Sequence, residues 1–322
     1  MVRVGVDIGG TNIKIGIIEE EDGRIIDKRE IPFTHQGYES VFAQIQREIR
    51  EMLKEGGFTT GQVGSIGLAV PGSIDVSNGS ITHAYNLDFH DVPAVEEMEK
   101  TFPETPIYLA NDANAAALGE LHCGVFKGYK TAVLLTIGTG VGGGVILGGK
   151  MFNGGQNHGV ELGHMMLKYG GIRCSCGNYG CVESYCTATW LIQEGKKLME
   201  EGIDSLVCTR GNWKPENVDA KLIIDAARDG DPHAQKIFDT FIDNLSAAIT
   251  SINAILDPEI IAIGGGVSGA GEILFEPLRE KVEEKSFFDF DYKIVPAYLG
   301  NDAGIVGAAM LHKNGASAER RE

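Results

Sequence analysis

Apolar and polar positions near the start of the chain fall into short blocks. Val2 to Asp7 is rich in β-branched residues, Gly9-Gly10-Thr11 interrupts it, Ile13 to Ile18 resumes the pattern, and an Asp22-Gly23 turn leads into Arg24 to Arg29. That spacing predicts a three-stranded meander. The period then changes. Val41, Phe42, Ile45, Ile49, Met52 and Leu53 recur at helical spacing over Tyr38 to Lys54, and Gly56-Gly57 ends the helix. Val63 to Val70 reads as a buried strand stopped by Pro71-Gly72. Ile107 to Ala110 is a short strand running into Asn111-Asp112, and the Ala-rich stretch Ala113 to His122 is helical. Asp112 therefore lies at a strand end beside a helix N-terminus. Ligands of open α/β folds bind at that edge, although a plain helix cap there is the blander alternative.

The opening pattern then returns. Thr131 to Ile137 is a strand, Gly138-Thr139-Gly140-Val141-Gly142-Gly143-Gly144 a glycine turn, Val145 to Leu147 a strand, and Gly148-Gly149 turns into another at Lys150 to Phe152. The second glycine run even matches G-x-G-x-x-G. A strand follows it, as one follows Gly9-Gly10-Thr11, and this excludes a dinucleotide fingerprint or a Walker loop, both of which need a helix there. Two such hairpins facing one another could clasp a polyphosphate through backbone N–H groups. The rest is more helical. Thr187 to Glu201 and Asp219 to Arg228 are helices, and Asp231-Pro232 is a cap followed by Pro at the first helical position. The helix so opened carries a core stripe of Ile237, Phe238, Phe241, Leu245, Ala248, Ile249, Ile252 and Ile255. Glu259 to Ile263 is a strand ending in Gly264-Gly265-Gly266, Ala270 to Lys285 and Ala303 to His312 are helices, and a polar tail expected to fray closes the chain.

Chemistry concentrates between Glu161 and Glu183. His164, Cys174, Cys176 and Cys181 offer one imidazole and three thiols on a glycine-rich loop, the donor set of a closed, four-coordinate structural zinc. Reduced cysteines, or a redox pair at Cys174 and Cys176, are the alternatives. A single residue between those two is unlike a C-x-x-C redox site. A metal there would fix Glu161, His164 and Glu183 near one another, a rigid surface suited to a polyhydroxylated ligand.

Composition narrows the partners. The chain has 322 residues, enough for two domains, with 43% apolar and 23% charged content, and its net charge of −17 without any basic block argues against nucleic acid and anionic membranes. With no signal sequence and no apolar run long enough to span a bilayer, a cytoplasmic protein with reduced Cys123, Cys186 and Cys208 is expected. The 44 glycines lie in discrete runs and are expected to mark turns.

Taken in order, Asp7-Ile8-Gly9-Gly10-Thr11-Asn12-Ile13-Lys14, Asn111-Asp112-Ala113-Asn114, Gly138 to Gly144, Glu161-Leu162-Gly163-His164, the cysteine cluster through Glu183, and Gly264-Gly265-Gly266 resemble the repressor, open reading frame, kinase (ROK) family of the actin and hexokinase superfamily. The resemblance spans nearly the whole chain. It implies an α/β fold of two ribonuclease-H-like (actin/hexokinase-type ATPase) domains with an interdomain cleft, residues 1–118 with 303–322 forming the smaller and 119–302 the larger. It implies ATP-dependent phosphorylation of a hexose, glucose first and mannose, fructose or an N-acetylhexosamine otherwise. Asp112 would be the general base. Asn111, Asp112, Glu161, His164, Glu183, Gly72 and Asn86 would hold the sugar. Asp7, Gly9, Gly10, Thr11, Lys14, Gly138, Thr139, Gly140, Gly265 and Gly266 would serve ATP and Mg2+, and zinc would take His164 and the three cysteines. A homodimer or tetramer is the family expectation. With the phosphate motif beginning at residue 7, no helix-turn-helix fits ahead of it, so the kinase branch is expected over the repressor branch. A sugar sensor without activity, or an actin-like filament protein, would be the readings of a different class.

Overall fold

The computed structural model describes residues 1–155, 159–289 and 291–314; the tail expected to fray lies outside the described residues. The chain divides into two compact units. One comprises Met1–Lys130, Gly144–Val160 and the residues from Tyr298 on, and the other Thr131–Gly143 and Glu161–Ala297.

The first unit opens with the expected meander: β1 (Val2–Ile8), β2 (Asn12–Glu19) and β3 (Ile25–Pro32) pair antiparallel. Helix α1 (Tyr38–Glu55) buries Val41, Phe42, Ile45, Ile49, Met52 and Leu53, its apolar stripe. Strand β4 (Val63–Val70) pairs parallel with β1. A small antiparallel sheet follows, β5 (Ser73–Asp75), β6 (Ser80–Ala84) and β7 (Phe89–Val92), and then α2 (Ala94–Glu99). Strand β8 (Ile107–Asn111) adds parallel to β4 and feeds α3 (Asp112–Cys123), giving the sheet order β3-β2-β1-β4-β8.

The second large sheet has the same order. Strands β9 (Ala132–Ile137), β10 (Val141–Leu147), β11 (Lys150–Met151), β12 (Ile260–Gly264) and β13 (Ile294–Pro296) are arranged β11-β10-β9-β12-β13, with β12 parallel to both β9 and β13. Its helices are α4 (Ala188–Glu200), α5 (Leu206–Arg210), α6 (Ala220–Arg228), α7 (Pro232–Leu256) and α8 (Glu272–Lys285). Asp231 caps α7 by accepting His233 N–H at 3.0 Å and Ala234 N–H at 2.7 Å, and it also accepts Leu206 N–H at 2.6 Å from the start of α5. The segment before Trp213 thus folds as a short helix pinned to α7, and Trp213 itself lies in the turn that follows. Phe238 and Phe241 stack at 6.0 Å on the buried face of α7.

Many glycines are packing devices, contrary to the expectation that they mark turns. Helix α9 (Ala303–Ala309) lies on β1 and β4 so closely that a Cβ on Gly5 would overlap the carbonyl oxygen of Ile305, and one on Gly67 that of Ala308. The expected turn Gly138 to Gly144 is a turn only through Gly140. Gly142, Gly143 and Gly144 are strand residues of β10, because a Cβ on Gly143 would lie 2.7 Å from the Leu162 side chain and one on Gly144 2.5 Å from Ala117 Cβ. Among the described residues no helix is long and apolar enough to cross a membrane.

Candidate active site

In the first unit, parallel strands place three chain breaks at one carboxyl edge. Register pairs Asp7 with Ala69, Ala69 with Ala110, and Val70 with Asn111, so Gly9-Gly10-Thr11, Pro71-Gly72 and Asn111-Asp112 leave the sheet side by side. Gly9 N–H closes the first turn on Asn12 O at 3.0 Å. The N–H groups of Gly10 and Thr11 find no acceptor among the described residues. Asn86 lies beside this turn, its carbonyl 3.4 Å from where a Gly10 Cβ would be. Gly72 takes φ of 94°, a conformation suited to glycine, and its carbonyl accepts Asn111 Nδ2 at 3.2 Å.

The capping of α3 falls to Asn111 and not to Asp112. Asn111 Oδ1 accepts Ala113 N–H at 3.0 Å and Asn114 N–H at 3.3 Å. Asp112, the first helical residue, accepts Ala113 N–H at 2.8 Å and its own backbone N–H, and keeps a half-buried carboxylate available. Burial raises its pKa, the Ala113 N–H opposing. Asp7 is held up to about 6 by burial first and by the charge of Asp112 second, with Lys14 pulling it back. Asp7 and Lys14 are cross-strand partners of β1 and β2. The structure thus brings Asp7, Lys14 and Asp112 within electrostatic reach.

Two contributors in this unit escaped the sequence. Lys14 Nζ donates to the carbonyl of Asn301 at 3.0 Å, and Gly304, at the start of α9, leaves room for Asp7, since a Cβ there would lie 2.5 Å from Asp7 Oδ2. Nothing in the local pattern connects residues so far apart in the chain.

In the second unit, the turn after β9 repeats the arrangement. Gly138 N–H donates to Gly140 O at 3.0 Å, Ala188 N–H takes Gly138 O at 2.8 Å and Thr189 Oγ1 takes Thr139 O at 3.1 Å. Among the described residues the N–H groups of Thr139 and Gly140 have no acceptor. Gly265, at φ of 80°, follows β12 so close to Ile137 that a Cβ would overlap the Ile137 carbonyl, and Gly266 opens a short 3-10 turn. Glu161 precedes the 3-10 turn of His164, and its carbonyl accepts His164 N–H at 3.0 Å.

The four expected metal donors converge: the ligand atoms of His164, Cys174, Cys176 and Cys181 all lie within 4.8 Å of one another. Cys176 Sγ and Cys181 Sγ are 3.7 Å apart, and Cys174 Sγ is 3.6 Å from His164 Nδ1. These spacings are far longer than a disulfide and close to the ~3.8 Å sulfur–sulfur edge of a tetrahedron built on Zn–S bonds of ~2.3 Å. The donor set fits zinc. Burial, then the neighbouring Cys174 and Cys176 sulfurs, pushes the Cys181 thiol up to about 12. A divalent cation removes that repulsion by taking all three sulfurs as thiolates. His164 turns Nδ1 to the sulfurs, which leaves Nε2 for another partner. Glu183 lies beside the cluster and accepts Ser175 Oγ at 2.9 Å and Val141 N–H at 3.1 Å.

Comparison with known proteins bears on these two sites directly. The ROK family profile matches residues 3–315. The chain belongs to the ROK family. It is 40% identical over 318 residues to a glucokinase of Thermotoga maritima, covering 96% of each chain, and 35% identical over 316 residues to a glucokinase of Halalkalibacterium halodurans, covering 96% of this chain and 94% of that one. The crystal structure of a ROK family glucokinase from Streptomyces griseus in complex with glucose and AMPPNP superposes with a TM-score of 0.79 at 30% identity, covering 97% of this chain and 99% of that chain. The fold is accordingly the α/β, ribonuclease-H-like architecture of the actin and hexokinase superfamily, built twice with one strand order.

Proposed function

We propose that this ROK protein is an ATP-dependent hexose kinase that prefers glucose and forms glucose 6-phosphate. The observation that carries the reading is the edge of the first sheet. There an Asp112 carboxylate of raised pKa, Asp7, Lys14 and a turn with two N–H groups that find no acceptor among the described residues gather at the carboxyl ends of parallel strands. That is an acid–base group beside donors suited to phosphate oxygens.

In this reading Asn111, Asp112, Glu161, His164 and Glu183 hold the sugar, with Gly72 and Asn86 shaping its surroundings. Gly9, Gly10, Thr11, Lys14, Gly138, Thr139 and Gly140 face the ATP phosphates through backbone N–H groups and one ammonium. Gly265 and Gly266 approach the adenosine, where a side chain would obstruct it. Asp7 would be the residue to hold magnesium, which would supply neutralisation of the phosphate charge.

Asp112 orients the attacking hydroxyl and takes its proton late, as charge builds on the oxygen, because even a raised carboxylate is far weaker as a base than an alkoxide. The rise in its pKa narrows that gap. His164, Cys174, Cys176 and Cys181 would hold zinc as a closed set of four donors, and the metal would supply order to the loop that carries His164 and Glu183.

The test is ADP release with Mg-ATP over a panel of hexoses and N-acylhexosamines, compared as kcat/KM. A glucose optimum is expected. An N-acyl sugar optimum would overturn the substrate while keeping the chemistry, and no turnover with any sugar would favour a sugar sensor.

A further inference from the structure

Glu183 joins two loops in the second unit. Its Oε1 accepts the hydroxyl of Ser175, the residue between the metal donors Cys174 and Cys176, at 2.9 Å, and the Cys174 thiol at 3.8 Å. Its Oε2 accepts Val141 N–H at 3.1 Å, immediately after the Gly138–Gly140 turn, and a Cβ on Gly140 would lie 2.7 Å from that oxygen. The start of α4 grips the same turn from its other end through the Gly138 and Thr139 carbonyls. With those groups taken, the turn holds one conformation, in which the N–H groups of Thr139 and Gly140 have no acceptor among the described residues. A carboxylate has about four lone-pair sites, so Glu183 with three of them filled can still receive a sugar hydroxyl.

We propose that Ser175 is a positioning residue: by fixing the Glu183 carboxylate, it passes the order of the His-and-cysteine loop to the Gly138–Gly140 turn, so that nucleotide affinity depends on Ser175. Ser175 is exposed and is none of the metal donors. Its hydroxyl lies 3.8 Å from the Cys174 sulfur as well, and it reaches the Gly138–Gly140 turn through Glu183, whose carboxylate touches both loops. In the metal-loaded protein, where Cys174 is a thiolate with no proton to donate, removing the Ser175 hydroxyl leaves Glu183 bonded to Val141 and free to turn about its side-chain torsions, and the Gly138–Gly140 turn loses the restraint on that side. The inference rests on the reading of this turn as phosphate-facing.

The experiment is calorimetric titration of Mg-ADP, without sugar, into the metal-loaded parent, Ser175→Ala and Ser175→Thr, with metal content measured on each. Ser175→Ala is expected to weaken Mg-ADP about five-fold, the worth of one hydrogen bond to a charged group at an exposed site, with metal content unchanged. Ser175→Thr, which keeps the hydroxyl, is expected to restore most of the affinity. A Ser175→Ala protein that binds Mg-ADP as the parent does would overturn the link and leave the kinase reading standing. Loss of metal together with affinity would also overturn it, by making Ser175 a structural residue of the loop. A parent that binds no Mg-ADP would overturn the kinase reading and this inference together.

Discussion

Asp7→Asn should make the protein more stable at neutral pH while stopping its chemistry. Burial and the nearby Asp112 charge lift the Asp7 carboxyl from 3.8 to about 6, despite Lys14. At ~1.4 kcal/mol per pH unit that rise corresponds to ~3 kcal/mol, and because Asp7 keeps some exposure to solvent we expect ~2 kcal/mol. The sign follows from proton linkage. With its folded pKa above its unfolded value, Asp7 favours folding below pH 3.8, and that contribution is lost as pH rises through about 6. Asparagine never ionises, so it never incurs the loss. Urea unfolding of parent and variant without magnesium or nucleotide, from pH 3.5 to 8, isolates the effect, since every other group titrates in both. The variant should gain on the parent across the interval from about 4 to 6 and stay ahead by ~2 kcal/mol at pH 8. An offset independent of pH, or a variant less stable at pH 8, would refute the reasoning. Turnover should collapse in the same protein.

Four further outcomes are expected. Asp112→Asn should keep sugar affinity but lose about 10²- to 10⁴-fold in kcat, and near-normal turnover would rule out its role as base. Chelation should raise the KM for sugar and lower the melting temperature together, so verified metal-free enzyme with unchanged sugar kinetics would contradict the ordering role of the Cys174–Cys176–Cys181 loop. Gly307→Ala places a Cβ against the Ala115 carbonyl inside the α3–α9 contact and should cost about 3 kcal/mol or more in denaturant unfolding. Gly61→Ala, where a Cβ meets nothing within 4 Å, should change stability by less than ~0.5 kcal/mol.

Long periodic elements were readable from sequence because their burial and their period coincide: β1, β2, β4, α1 and the stripe of α7 match the apolar pattern closely, except for Ile255, expected in that stripe but exposed in the last turn of α7. The capping of α7 by Asp231 was readable for a similar reason, since Asp followed by Pro has few other uses. Strands β5 to β7 were missed. They are three to five residues long, with exposed polar positions such as Thr82 and His90, and their order comes from pairing with one another. Gly142 to Gly144 read as a turn because composition cannot tell a glycine that bends the chain from one that makes room for Ala117. At the candidate site the metal donors were legible from spacing alone, whereas Asn301 and Ser175 were not. One contributes only a carbonyl, and the other is an ordinary loop serine until the fold places Glu183 beside it. The return of Gly144–Val160 to the first unit likewise carries no local signal.

The close seat of α9 on β1 and β4 also orders the birth of the molecule. Strand β1 leaves the ribosome long before the helix that covers Gly5 and Gly67, which ends at Ala309. At about 5 to 20 residues per second, roughly 15 to 60 s of synthesis separate the two. The residues of the second unit, by contrast, are all made by Ala297. The half of the protein that is translated first is thus the half that finishes last, and a chain broken off anywhere before Ala303 fails at its own beginning.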